Sequence, residues 1–167
     1  MDLEDVLRDL TPRLLRYATG RTGDGGLGEE IAQESLTTLV QRWRRLGPPD
    51  SPEAFVFAIA RRRAGRSTAK RRLLLPLTAI VGRAAVGRNP EETVVANAEA
   101  KAVRVALGQL PRLDREALLL VVAGGVRSVE AAHLLGISES ALRMRTLRGR
   151  RRLASLLTGQ PCAWKQE

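Results

Sequence analysis

Apolar residues recur at helical spacing through almost the whole chain, and this periodicity limits the possible folds more than any other feature. Near the start, Leu3, Val6 and Leu10 mark one face of an amphipathic helix. No strand-like alternation of comparable length occurs in the sequence. Further helices are predicted at residues 31–43, 51–60, 91–107, 112–123, 128–135 and 139–157. The sequence therefore predicts an all-α fold.

Two interruptions of the periodicity suggest how the helices are grouped. Residues 20–28 are rich in glycine and predict a flexible loop, whereas residues 73–90 lose the helical spacing and predict a linker. Pro12 is expected to begin a helix of its own, which brings the N-terminal unit to four helices. We expect two small helical domains at residues 1–72 and 91–157, with a linker at 73–90 and a tail at 158–167.

The predicted linker has an unusual composition. Residues 73–77 are four leucines and one proline, and no acidic residue occurs between Glu53 and Glu91. Two explanations are compatible with such an apolar segment: it packs on one of the domains, or an inhibitor protein covers it.

The positive charge of the chain is concentrated in two blocks. The 167 residues carry a net charge of +10, and 25 of the 28 basic residues are arginines, whose planar guanidinium suits phosphates and base edges. Residues 61–72 contain seven basic and no acidic side chains, and residues 143–152 contain six arginines and no acid. Because such blocks repel themselves unless a polyanion is near, they predict nucleic-acid binding.

Other function classes have little support in the sequence. The single cysteine, Cys162, excludes an internal disulfide framework and a cysteine-based zinc site. The single histidine, His133, leaves little for metal binding or a histidine-based catalytic triad. Residues 23–28 fit G-x-G-x-x-G, but a dinucleotide site follows a strand and here helices are predicted on both sides. We expect no catalytic residues, no metal and no cofactor. With no signal peptide and no apolar run of about 20 residues, we expect a cytoplasmic protein without membrane insertion.

The C-terminal segment has the pattern of a helix-turn-helix, whose second helix enters the DNA major groove. Ser128 is expected to cap the first helix, Gly136 to end it, and Ser138 to cap the second. A plain helical hairpin with a solvated basic face is the alternative, and the crowding of arginines argues against it.

Two N-terminal features invite both a functional and a plain interpretation. The first basic block follows Phe55 and Phe57, and aromatic side chains beside basic ones suit single-stranded nucleic acid. Because positions i and i+2 cannot share a helix face, at least one phenylalanine is a candidate for the core. The acidic residues Glu29, Glu30 and Glu34 form either a solvated helix face or a docking face for a basic partner helix.

Taken together, these features resemble the bacterial sigma-70 family of RNA polymerase sigma factors. Residues 29–36 followed by Trp43 resemble the helix that binds core polymerase, and residues 54–61 resemble the segment that melts and reads the minus-ten promoter element. Residues 110–118 and 134–143 resemble the domain that reads the minus-thirty-five element. The length resembles that of the extracytoplasmic-function (ECF) type, which keeps only these two domains and a linker.

The resemblance implies a protein that binds core RNA polymerase, recognises promoter DNA and promotes transcription initiation, with an anti-sigma factor as a further possible partner. Implied core-binding residues are Glu30, Gln33 and Glu34. Implied minus-ten residues are Phe55, Phe57, Arg61, Arg62 and Arg66. Implied minus-thirty-five residues are Ser138, Ser140, Arg143, Met144, Arg145 and Arg148.

The sequence departs from the family pattern at several of these positions. Arg62 and Arg66 replace the commoner Asn and Asp, and Ala141 and Met144 replace small hydroxyl residues, so the promoter sequence is not implied. The alternative function is a stand-alone helix-turn-helix regulator that binds duplex DNA. It accounts for residues 110–157 but leaves the acidic helix and the first basic block unexplained.

Overall fold

The computed structural model describes residues 2–78 and 94–159, and within these ranges the regular structure is entirely helical, which confirms the all-α prediction. The N-terminal unit contains three helices: α1 (Leu3–Thr22), α2 (Gly25–Leu46) and α3 (Pro52–Thr78). The C-terminal unit contains α4 (Val94–Gly108), α5 (Arg112–Leu118), a π-helical turn (Leu119–Ala123), α6 (Ser128–Leu135) and α7 (Glu139–Thr158).

The first helix is continuous, so the prediction of two helices separated at Pro12 is wrong. Pro12 lies inside α1, where a proline costs about 3 kcal/mol through its lost hydrogen bond and its ring. Leu10, Leu14 and Tyr17 are all buried on one face of α1, on both sides of the proline. The apolar periodicity thus runs through Pro12, and burial of that face offsets the local cost.

The glycine-rich segment is also more ordered than predicted, because only two residues separate α1 from α2. Gly23 adopts the left-handed conformation (φ 71°), and the Asp24 side chain caps α2 by accepting from the Leu27 amide at 3.0 Å. Gly28 lies against Thr19, where a Cβ atom would come within 2.8 Å of backbone. The glycines therefore allow a tight turn and a close helix crossing, and a helix precedes the G-x-G-x-x-G motif where a dinucleotide site needs a strand.

Ser51 caps the start of α3, since its hydroxyl accepts from the Ala54 amide at 3.1 Å. Its helical backbone extends to Thr78, into the segment predicted as a linker. The rest of that segment lies outside the described residues, as does most of the predicted tail after Gly159. The domain boundaries therefore stay predictions.

The C-terminal unit contains the predicted helix-turn-helix with one correction. Gly136 ends α6 in the left-handed conformation (φ 67°), and the Ser138 hydroxyl accepts from the Ala141 amide at 3.2 Å. Ser128 is the first residue of α6 and does not cap it: the preceding residue is Arg127, and no side chain caps this end. A hydroxyl can cap only from the residue outside the first turn, and the helix begins at Ser128 itself, one position earlier than a Ser128 cap requires.

The two units pack directly on each other. Tyr17 and Phe57, both fully buried, meet edge to face with their ring centroids 5.4 Å apart. A Cβ atom at Gly124 of the C-terminal unit would lie 2.7 Å from Cε1 of Phe57. The cores of the two units are therefore in contact, and both α1 and α3 pack against the C-terminal unit.

Candidate nucleic-acid interface

The second helix of the helix-turn-helix, α7, presents most of the predicted minus-thirty-five residues to solvent. Ser138 and Ser140 lie at its exposed start, and their hydroxyl oxygens are 3.0 Å apart. The opposite face packs inward through Leu142, and Gly149 allows a close approach to the backbone of α5. Exposed residues on the outer face include Arg143, Met144, Arg148 and Arg150.

Arg145 differs from these neighbours because its guanidinium turns toward α5. Its Nη1 lies 3.0 Å from Oδ1 of Asp114, and Nη2 of Arg148 lies 3.6 Å from the same oxygen. The Asp114 side chain is only 11% exposed, whereas that of Arg148 is 56% exposed. The predicted residues thus fall into two groups. Ser138, Ser140, Arg143 and Met144 are exposed at the start of α7, whereas Arg145 and Arg148 lie near the buried Asp114 carboxylate.

The other predicted DNA-binding helix, α3, carries its basic residues on a more enclosed surface. Arg62 and Arg66 are exposed, and Arg61 and Phe55 are half-buried. Phe57 is fully buried and leaves no surface for DNA, as the i, i+2 spacing of the two phenylalanines anticipated for one of them. Its ring packs in the core against Tyr17 of α1 and beside Gly124 of the C-terminal unit.

A cleft separates this surface of α3 from helices α5 and α6 of the C-terminal unit. Arg61 and Arg62 contribute one wall, and Arg112, Glu116 and His133 contribute the other. His133 is exposed at the edge of the cleft. The C-terminal unit therefore shields part of the predicted minus-ten surface.

A buried charged cluster lies at the base of this cleft. Glu116 accepts hydrogen bonds from the Tyr17 hydroxyl at 2.5 Å and from Nε of Arg21 at 2.6 Å, and Nε of Arg61 lies 3.7 Å from the same carboxylate. The Arg21 and Glu116 side chains are 6% and 5% exposed. Burial raises the pKa of Tyr17 well above its usual value of 10, and the Glu116 charge raises it further, so the hydroxyl keeps its proton and donates.

Backbone carbonyls at the end of the π-helical turn provide further contacts between the units. Arg13 donates to the carbonyl oxygens of Gly124 and Gly125 at 2.8 and 2.9 Å, and Arg16 donates to that of Ala123 at 3.1 Å. A helix end leaves its last carbonyls without partners inside the helix, and here the N-terminal unit supplies the donors.

A hydrogen bond between side chains joins the two units at the other edge of their interface. The Ser51 hydroxyl donates to Glu130 of α6 at 2.6 Å, and Arg127 donates to the same carboxylate at 2.6 Å. Sequence reasoning missed all of these contacts, because each involves residues of common types in separate helices.

The three predicted polymerase-binding residues are all exposed on α2, opposite its buried residues Ile31 and Leu39. Glu34 forms an ion pair with Arg63 of α3, so this carboxylate also links two helices of its own unit. For Glu30 and Gln33 the described part of the chain provides no ion pair or side-chain hydrogen bond. Glu30 and Gln33 are therefore the residues of this acidic face that are available to a partner.

These surfaces define a helical DNA-binding protein with two basic helices in separate units. Family models match both units: "Sigma-70 region 2" matches residues 6–73, and "Sigma-70, region 4" matches residues 100–153. The sequence is 31% identical to the ECF RNA polymerase sigma factor ShbA of Streptomyces griseus, covering 91% of this chain and 85% of that protein. It is 29% identical to EcfG of Rhodopseudomonas palustris, covering 94% of this chain and 88% of that protein. The chain belongs to the ECF family of RNA polymerase sigma factors.

Two solved structures have the same fold. Bartonella quintana RpoE, solved with the anti-sigma factor NepR, superposes with a TM-score of 0.69 at 21% identity, covering 95% of this chain and 98% of that one. CnrH, solved with the cytosolic domain of CnrY, superposes with a TM-score of 0.66 at 21% identity, covering 95% of this chain and 89% of that one. Within the described ranges, no helix of the present chain is long and apolar enough to span a membrane.

Proposed function

We propose that this chain is a promoter-specificity subunit that binds core RNA polymerase, recognises promoter DNA and promotes transcription initiation in the cytoplasm. The observation that carries the proposal is the presence of two basic DNA-binding surfaces in separate units of one chain, beside an acidic exposed face on α2. The chain needs no active site for this role, because the polymerase supplies the catalysis.

In the minus-thirty-five unit, Arg143 is the leading candidate for a base contact. It is exposed near the start of α7, where the residues of a recognition helix meet base edges. Ser138, Ser140 and Met144 lie beside it, and Arg145 and Arg148 approach phosphates from positions set by Asp114. A stand-alone regulator would need only this surface.

In the minus-ten unit, the half-buried Arg61 and the exposed Arg62 and Arg66 form the phosphate-binding surface, and Phe55 is the aromatic side chain nearest to it. Arginines that neutralise phosphates release counterions, so promoter binding should weaken steeply with salt. We place the division between the two units within residues 73–90, with residues 158–167 as a tail beyond the second unit.

The face formed by Glu30, Gln33 and Glu34 is the proposed contact with core polymerase, whose partner surface should be basic. We also propose an anti-sigma factor as a regulatory partner. Support for it comes from the RpoE fold neighbour, which was solved in complex with such a protein.

The test is run-off transcription on genomic fragments with purified core polymerase. We expect new start sites when the protein is added, and we expect the protein to co-elute with core. Glu30→Ala should weaken core binding and leave duplex binding unchanged, because no residue of the described ranges pairs with the Glu30 side chain. Glu4→Ala, which removes an exposed carboxylate from α1, is the matched control and should have no effect. Duplex binding without co-elution and without new start sites would favour the stand-alone regulator.

A further inference from the structure

The first helix of the C-terminal unit, α4, has an apolar face that the described part of the chain leaves open. Its residues from Ala98 to Val105 are all exposed, and of its side chains described in the structure only Ala106 and Leu107 are buried. A helix of 15 residues is marginally stable by itself, and most helices in proteins are stabilised by packing of an apolar face. We therefore expect this face to have an occupant.

The open face forms one wall of a groove between α4 and the end of α7. Small apolar residues line this wall at helical spacing, at positions 98, 102, 105 and 106. Leu156 and Leu157 of α7 form the other wall, and they are 37% and 44% exposed. The groove has a volume of about 410 Å³, which is enough for a group of the size of an indole ring. Gln109 also lines it and offers a side-chain oxygen as a hydrogen-bond acceptor.

The chain leaves α7 beside this groove. Gly159 follows the last residue of the helix in the left-handed conformation (φ 67°), which lets a chain turn away from the helix axis. Residues 160–167 lie outside the described residues, and their sequence contains a proline at the position where prolines commonly follow a helix end. Residues 162–164, Cys-Ala-Trp, are the apolar part of this segment. From Gly159 to Trp164 an extended chain spans at most about 17 Å, which exceeds the rise of about 12 Å from Ala98 to Ala106 along α4.

We propose that residues 160–167 dock into this groove of their own chain, with the indole ring of Trp164 between Val105 and Leu157. A tryptophan supplies a large apolar surface, and its ring N–H can donate to the Gln109 side chain. The segment is joined to α7 two residues after Leu157, so the contact is intramolecular and requires little intrinsic affinity. The apolar residues 73–77 are less suited to the groove, because they belong to α3 of the other unit. The inference does not depend on the proposed function.

The fluorescence of Trp164 tests the docking in the full-length protein. Trp43→Phe leaves Trp164 as the single tryptophan, and we expect its emission to be blue-shifted and weakly quenched by acrylamide compared with the denatured chain. Val105→Gln in this background should shift both quantities toward the values of the denatured chain. Val103→Gln is the matched control and should change neither, because Val103 is an exposed valine of the same helix that does not line the groove.

Two results of this experiment would overturn the proposal. Emission and quenching of Trp164 that equal those of the denatured chain would mean that the indole is in water. A blue-shifted emission that is lost on dilution of the protein would mean that a second copy covers the indole.

Hydrogen–deuterium exchange of α4 provides an independent measurement with Trp43 in place. Trp164→Ser should accelerate amide exchange across residues 98–107, because the groove loses its main apolar occupant, whereas Trp164→Phe should retain most of the protection. Exchange in α1 should be the same in both variants and in the unsubstituted protein. If Trp164→Ser leaves the exchange of α4 unchanged, another segment or a partner protein covers this face and the proposal is wrong.

Discussion

The two basic helices are held by carboxylates of the same short helix, yet with different consequences. On α5, Asp114 pairs with Arg145 of α7, and Glu116 pairs with Arg21 and approaches Arg61 of α3. Because residues two positions apart point about 200° from each other around a helix, the two acids face different units. A seven-residue helix thus contacts both predicted DNA-binding surfaces.

The difference lies in what each contact requires. The Asp114 contact lies within the C-terminal unit, so it does not depend on packing between the two units. The Glu116 contact exists only while the units are together. The same chemistry therefore joins helices of one unit in one case and the two units in the other, and Arg61 of α3 lies beside an acid of the opposite unit whereas Arg145 of α7 pairs within its own.

The largest effect is expected where α3 enters the core. Phe57→Ala should lower the free energy of unfolding by about 3–5 kcal/mol, because it removes a fully buried ring that contacts Tyr17. Denaturant unfolding measures the loss. Leu147→Ala on α7, where the side chain is 41% exposed, should cost far less. Equal losses for the two variants would contradict the contrast between a supporting helix and an open binding helix.

An intermediate effect is expected for the outer face of α7. Arg143→Ala should weaken binding to a duplex promoter fragment by about 1–3 kcal/mol if the guanidinium makes a bidentate base contact. Arg145→Ala should weaken it less, since this side chain is already engaged by Asp114. Fluorescence anisotropy at fixed salt measures both. A larger loss for Arg145→Ala would mean that the inward arginine turns to the bases on binding.

The smallest effect on stability is expected from protonation of Glu130, which lies at the edge of the interface between the units. Burial alone raises the pKa of Glu130, but hydrogen bonds from Ser51 and Arg127 outweigh it, so the pKa is lowered from its usual 4.5. A lowered pKa contributes stability above pH 4.5 that is lost as the pH falls through the folded value. Between pH 6 and pH 3, the melting temperature of the unsubstituted protein should therefore fall more than that of Glu130→Gln. Parallel pH profiles for the two proteins would contradict this role of Glu130.

The fold was largely predictable because its signals are local. Apolar periodicity located the helices, and the caps at Ser51 and Ser138 depend on a hydroxyl acting within one turn. The errors came where packing outweighed a local rule. Pro12 is tolerated because the residues around it are buried, and Gly28 lies within a helix because α1 and α2 cross closely there.

The binding surfaces were predictable only in outline. Charge blocks and family resemblance located the exposed residues, such as Arg62 and Arg143, because surface charge is read directly from sequence. The contacts that restrain them were not predictable, since Arg21 and Glu116 are 95 positions apart. No periodicity or composition connects two such residues before the units are brought together.

The carbonyl oxygens that accept hydrogen bonds from Arg13 and Arg16 affect which contacts between the units can survive sequence change during evolution. These acceptors belong to the main chain of residues 123–125, so no side-chain replacement there deletes them. If the C-terminal unit of a relative were grafted onto this N-terminal unit, the two arginines would still find acceptors, while the carboxylate of Glu116 would have to be supplied. The main-chain contacts between the units would persist in such a hybrid, whereas the buried ion pair with Arg21 would form only if the grafted unit carries an acid at that position.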